Sequence, residues 1–239
     1  MSDDLAEFLM TRQPTAARPL LGLTVLVVED SRFACEAMRL LCLRSGARIR
    51  RADCLRSARR HLQVYRPTVA IVDLGLPDGS GLDLIVELSG TLPRIPVLIG
   101  TSGNDFLQGA AIQAGADGFL AKPVESLSQF QDAILRHLPE SARPAGPRLV
   151  PDDRIIPDPI ALRDDLTLVA DVLATRSDGE TLDYIAGFLS GIARSAHDSK
   201  LEAAAVALAD GRAAGRESRP DVSRINGLVQ KWLSDGASF

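Results

Sequence analysis

Five residues spread over nearly a hundred positions could share one piece of chemistry: Glu29, Asp30, Asp73, Thr101 and Lys122. Each stands at the end of a short apolar run, in LTVLVVED, VAIVDL, PVLIGT and GFLAK. Brought together they would supply three carboxylates, a hydroxyl and an ammonium. Three adjacent carboxylates repel and raise one another's pKa unless a cation intervenes. Hard oxygen ligands at that density suit Mg²⁺, which keeps coordination positions open for water and phosphate oxygens. A single charged residue at a strand end can simply cap a wet sheet edge. All of them at successive strand ends argue for a shared pocket.

The surrounding pattern says how they could be brought together. Leu23–Val28 is too short for a helix and reads as a strand buried on both faces. Ser31 is a candidate N-cap for a helix to about Arg44, stopped by Gly46. The alternation repeats with strands at 47–51, 69–74, 96–101 and 117–120, and helices at 53–65, 82–88, 105–114 and 126–137. Five strands alternating with five helices predict an α/β fold with a doubly wound, five-stranded parallel sheet. In such sheets ligands bind at the carboxyl ends of the strands.

The segments VLVVEDS, VDLGLPDGSGLDL, IGTS and GADGFLAKP resemble the response regulator receiver family over about residues 22–138. From Asp30 through Asp73 and Thr101 to Lys122 the spacings are 43, 28 and 21 residues. The resemblance implies a flavodoxin-like receiver with Asp73 as phosphoacceptor. It implies Mg²⁺ held by Glu29, Asp30, Asp73 and the backbone carbonyl of Gly75. Lys122 and Thr101 would contact phosphoryl oxygens, Phe119 would be the switch aromatic, and Pro123 would follow a cis peptide that aims Lys122. It implies a histidine kinase or histidine phosphotransfer protein as donor. Gly75 is smaller than is common in the family, which leaves the phosphoryl pocket more open to water. Leu76 replaces a frequent methionine, and Phe119 lacks a tyrosine hydroxyl.

The rest of the chain reads differently. Residues 1–20 are expected to be a flexible leader, 21–138 the receiver, and 139–159, with six prolines, a stiff linker. Residues 160–239 are expected to form a smaller all-α domain for output or interaction, with helices at 160–175, 179–210 and 222–234. A break is expected at Ser190-Gly191, and Ser177 with Glu180 fits a capping box. His197 and Lys200 share an H-x-x-K spacing with histidine phosphotransfer domains, so His197 is a candidate second phosphorylation site; Leu201-Glu202 depart from that pattern. A helix-borne histidine with no such role is the alternative.

Charge bears on partners. Residues 1–138 hold 15 basic and 15 acidic residues, and residues 139–239 hold 12 and 16, so the second half carries the whole net charge of −4. That argues against DNA as the partner of the helical part, although Arg212, Arg216, Arg219 and Arg224 form a basic cluster. Seven arginines from Arg44 to Arg60 form either a solvated face or a patch for an acidic partner. An output protein and a homodimer are the remaining partner expectations. Three cysteines, Cys35, Cys42 and Cys54, have no metal-ligand spacing and fit a reducing compartment. With no membrane-length apolar run and an acidic N-terminus, a cytoplasmic protein is expected, with no membrane partner. A transcriptional regulator is the second reading. An Asp-nucleophile phosphatase is the third, weakened because Gly75 stands where that class needs a general acid.

Overall fold

The computed structural model describes residues 13–145, 153–176 and 178–235. Five parallel strands, β1 (Thr24–Val28), β2 (Arg48–Ala52), β3 (Val69–Asp73), β4 (Val97–Ser102) and β5 (Gly118–Ala121), form one sheet in the order β2-β1-β3-β4-β5. The helices between them are α1 (Arg32–Ser45), α2 (Leu55–Val64), α3 (Gly81–Ser89) and α4 (Gln108–Gln113), with α5 (Leu127–Leu135) after β5. The α/β sheet expected from the alternating pattern is therefore present, with boundaries moved by one or two residues except at the start of α4, which moves by three because 105–107 form a 3₁₀ turn.

Strand periodicity splits the core into two layers. Val25, Val27, Ile71 and Ile99 point to one face, where Met38 and Leu41 of α1 and Phe130 and Ile134 of α5 cover them. Leu26, Val28, Ala70, Val72 and Leu98 point to the other, under Leu55, Leu84, Ile85 and Ala111. Both faces of β3 are buried along its whole length, which is why its sequence reads as an uninterrupted apolar run ending in one aspartate.

Local chemistry fixes the ends of the helices. Ser31 accepts from the Ala34 N–H at 3.0 Å, and Gly46 closes α1 in the left-handed region at φ 84°. Cys54 offers α2 no side-chain cap. Asp78, in the loop after β3, does so instead by accepting from the Leu55 and Arg56 N–H groups at 2.8 and 3.0 Å. That loop forms a two-residue ladder, Gly75–Leu76 against Gly79–Ser80. Gly81 then passes so close to the Asp73 carbonyl that any Cβ would lie 1.9 Å from its oxygen.

The C-terminal part is helical: α6 (Pro159–Thr175), α7 (Gly179–Ser195), α8 (Ser199–Ala213) and α9 (Arg219–Asp235). The break foreseen at Ser190-Gly191 does not occur there. Helix α7 runs through those residues, and the chain turns at Ala196–Asp198, where His197 has φ 56° and Asp198 caps α8 through the Lys200 and Leu201 N–H groups. Asp178 caps α7 by accepting from the Thr181 N–H at 2.9 Å; Ser177, the expected cap, lies outside the described residues. Leu166, Val169, Ile185, Leu189, Ala205, Leu208, Ile225 and Val229 build a core of their own, and Phe33 of α1 inserts into it.

Part of the stretch expected as leader and linker also lies outside the described residues. Within the described part of 139–159, Ile155 is 3% exposed in the sheet core. Its N–H donates to the Glu125 carbonyl, while the Leu127 N–H donates to that of Asp153.

Candidate functional site

The carboxyl ends of β1, β3 and β4 deliver Glu29, Asp30, Asp73 and Thr101 to one rim, and the residue after β5 delivers Lys122. Register sets the pairing, since Asp73 lies opposite Thr101 across β3 and β4. The Lys122 Nζ lies 2.9 Å from Asp73 Oδ2 and 2.6 Å from Glu29 Oε2. Glu29, Asp30 and Asp73 each offer an oxygen within 4.8 Å of the others.

Burial makes this cluster costly. Glu29 is 2% and Asp73 7% exposed. Loss of solvent pushes Glu29 up to about 8; Lys122 opposes the rise, and Asp73 and Asp30 add to it. Asp30 is pushed up to about 6, again chiefly by burial, with the Tyr184 hydroxyl opposing and Asp73 adding. Burial alone would lower the Lys122 ammonium, but Asp73 and Glu29 hold it above its ordinary value. One lysine thus faces three carboxylates, an imbalance that a divalent cation would offset. Asp30 Oδ1 is buried and has no hydrogen-bond partner among the described residues. An orphaned carboxylate oxygen among converging hard donors fits a cation such as Mg²⁺.

The other predicted residues take distinct places. The Thr101 hydroxyl donates to the Leu120 carbonyl at 2.8 Å, so it is turned toward β5. Phe119 is half-buried and packs against the α2–α4 face of the core. The Lys122–Pro123 peptide is cis. Gly75 lines the same cavity of about 660 Å³ as Asp73 and Lys122. His197 stands apart. Its Nε2 lies 2.8 Å from Glu125 Oε1, with the side chain 67% exposed, and it precedes α8 rather than sharing a helix face with Lys200.

Sequence reasoning missed the residues that the helical part brings to this rim. The Tyr184 hydroxyl donates to Asp30 Oδ2. Asp165 accepts the Ser31 hydroxyl and the Arg32 and Phe33 N–H groups. Arg194 donates to the Gly103 carbonyl in the loop after β4. Helix α7 closes one side of the cavity, whose lining includes Gly187 and Gly191 together with Asp73 and Gly75. A second cleft of about 1270 Å³ opens beside Asp30 between α1 and helices α6 and α7.

This geometry coincides with a known family. The response regulator receiver domain family matches residues 25–134. Residues 25–134 are a response regulator receiver domain. The virulence transcriptional regulatory protein PhoP of Salmonella typhimurium is 33% identical over 115 residues, 47% of this chain and 51% of that protein. The transcriptional regulatory protein PhoP of Escherichia coli O157:H7 is 31% identical over 115 residues, 47% of this chain and 52% of that protein. The chain thus spans about half the length of the curated relatives it matches. Among solved structures, a response regulator of Burkholderia pseudomallei with a phosphorylated aspartic acid, calcium ion and citrate is similar at 29% identity and a TM-score of 0.42. That match covers 47% of this chain and 66% of the other. A response regulator of Chloroflexus aurantiacus is similar at 27% identity and a TM-score of 0.43, covering 48% and 98%. Among the described residues no helix is long and apolar enough to cross a membrane.

Proposed function

We propose that this protein is a two-component switch in which Asp73 accepts a phosphoryl group from a histidine kinase or histidine phosphotransfer protein. The observation that carries the reading is the pairing of Asp73 with Lys122 at 2.9 Å beside Glu29 and Asp30 on one strand-end rim. A carboxylate oxygen of Asp73 forms the new bond to phosphorus. The bond from phosphorus to the donor's imidazole nitrogen breaks, and the imidazole leaves with the electron pair. Such transfer is catalysed mostly by alignment and charge neutralisation.

Glu29, Asp30, Asp73 and the Gly75 carbonyl would hold Mg²⁺, which when bound neutralises carboxylate and phosphoryl charge. Lys122 is positioned to leave Glu29 for a phosphoryl oxygen. Thr101 would reach the phosphoryl group by giving up the Leu120 carbonyl, and Phe119 would move with it. Such a change shifts a two-state equilibrium rather than creating a new state.

Output through the helical part by protein–protein contact is the reading its packing supports. Helices α6 and α7 already touch the loops that a phosphoryl group would disturb. A DNA-binding output would borrow from the relatives' printed names, whereas the second half is net acidic and Arg212 is already paired with Asp183. His197 has a left-handed backbone and a Glu125 partner, so no relay through it is proposed.

Intact mass spectrometry after incubation with Mg²⁺ and acetyl phosphate tests the proposal. The expected result is one added phosphoryl group, lost in Asp73→Ala and kept in His197→Ala. A folded wild-type chain that never gains that mass, or an Asp73→Ala chain that does, overturns it.

A further inference from the structure

The α/β unit does not complete its own acidic pocket. The segment Glu29–Phe33, which carries two of the three carboxylates and leads into α1, is held from outside at three points. The Tyr184 hydroxyl donates to Asp30 Oδ2. Asp165 accepts the Ser31 hydroxyl at 2.8 Å and the Arg32 and Phe33 N–H groups at 2.9 and 3.0 Å. Asp164 pairs with Arg32 at 2.6 Å. All three partners belong to α6 or α7.

Tyr184 has the most direct bearing on the pocket. Its hydroxyl occupies one oxygen of Asp30, while the other, Oδ1, is buried and unpartnered among the described residues. A donor on one oxygen fixes the carboxylate plane and leaves the second oxygen for a ligand, the usual role of an outer partner around a metal. The ring itself is held, stacking on Phe188 with centroids 5.6 Å apart and planes at 27°. Burial and the adjacent Asp30 charge keep the phenol above its ordinary pKa, so it remains a donor. At the far end of α7, Arg194 donates to the Gly103 carbonyl, which stops the helix from pivoting away from Asp30.

We propose that Tyr184 is a positioning residue for the cation-binding carboxylate of Asp30, supplied by the helical part, so that cation binding and docking of α7 strengthen each other. The inference rests on the reading of Asp30 as a Mg²⁺ ligand. Coupling of this kind is reciprocal: what α7 docking adds to cation affinity, the cation adds to docking.

Tyr184→Phe in the full chain removes the hydroxyl and keeps the stacked ring. Isothermal titration with Mg²⁺ alone is expected to show affinity weakened by about 10-fold or more. Asp165→Asn, which loosens the packing of the helical part on Ser31–Phe33 through α6 without touching Asp30, should weaken it less. Hydrogen exchange should show Mg²⁺ protecting α7 in the wild type and not in Tyr184→Phe. Equal Mg²⁺ affinity in Tyr184→Phe and wild type overturns the inference while leaving Asp30 as a ligand. An equal loss in both variants also overturns it, since docking rather than the hydroxyl would then be responsible. A wild-type chain that binds no Mg²⁺ overturns the reading of Asp30 itself, and the inference with it.

Discussion

Asp165 of α6 caps a helix to which it does not belong: its carboxylate takes the Ser31 hydroxyl at 2.8 Å and the first N–H groups of α1. Ser31 in turn accepts from Ala34, so the N-terminus of α1 is satisfied by a relay of two side chains. Asp165 is 1% exposed. Burial raises its pKa, and the three donors offset that rise only in part. The positive end of the α1 dipole favours the charged form there.

This pairing predicts an unequal response in two neighbouring aspartates. Asp165→Ala strands buried donors and should cost about 2–3 kcal/mol. Asp164 and Arg32 keep 43% and 70% of their side chains exposed, so Asp164→Ala should cost about 0.2–1 kcal/mol. Urea unfolding of both variants checks this; similar losses would show that Asp165 is not the anchor.

Among the described residues, Lys122 is the only cation paired with Asp73 and Glu29. Removing one member of a buried charge cluster typically costs about 3–5 kcal/mol. Lys122→Met should lose that much at pH 8 without divalent cation, recover most of it with Mg²⁺, and lose less at pH 5, where the raised carboxyls take up protons. Denaturant melts with and without Mg²⁺ at the two pH values decide it. A loss indifferent to both Mg²⁺ and pH would show that the lysine stem, rather than its charge, is what matters.

Glu29 and Asp30 set a pH dependence of unusual sign. Their pKa values rise on folding from 4.5 to about 8 and from 3.8 to about 6. The folded chain therefore binds these protons more tightly than the unfolded chain. The stability they contribute is complete below the unfolded values and is lost as pH climbs through about 6 and then about 8. A cation must displace the same protons, so Mg²⁺ should bind more tightly from pH 6 to pH 8, with proton release. Calorimetry at pH 7 in two buffers of different ionisation enthalpy measures that release. A heat of binding unchanged between the buffers would contradict the assignment.

Much of the α/β fold could be read in the sequence because each element carries its own signal. The β3 run VAIVD is apolar on both faces because both faces are covered, and Ser31 and Gly46 mark the limits of α1 by backbone chemistry. The polar residues at strand ends were legible as a site because a parallel sheet has only one carboxyl edge. Tyr184, Asp165 and Arg194 were not legible. They lie on amphipathic helices where a tyrosine, an aspartate and an arginine look like any half-exposed residue, and only tertiary packing brings them to Asp30, Ser31 and Gly103. The Ser190-Gly191 pair misled for a related reason. Its small residues suggest a break, yet both line the cavity from within a continuous α7, where the helix passes close to Gly103.

That close approach provides a way to ask what α7 does above Asp73. A Cβ built on Gly103 would lie 3.6 Å from the Gly191 Cα, within reach of a disulfide. In a Cys54→Ser background, Gly103→Cys with Gly191→Cys should crosslink on oxidation and pin α7 over the pocket. The cavity of about 660 Å³ leaves room for a phosphoryl group on Asp73 beneath the pinned helix. Gly75 offers no side chain of its own to exclude water, so the cover must come from α7. The oxidised chain should therefore still accept phosphate from acetyl phosphate and lose it several-fold more slowly after the donor is removed; reduction should restore the faster loss. Intact mass followed over time, with and without reductant, measures both steps. If the oxidised chain cannot be phosphorylated until it is reduced, α7 must leave for Asp73 to react, and the helix obstructs the pocket instead of roofing it.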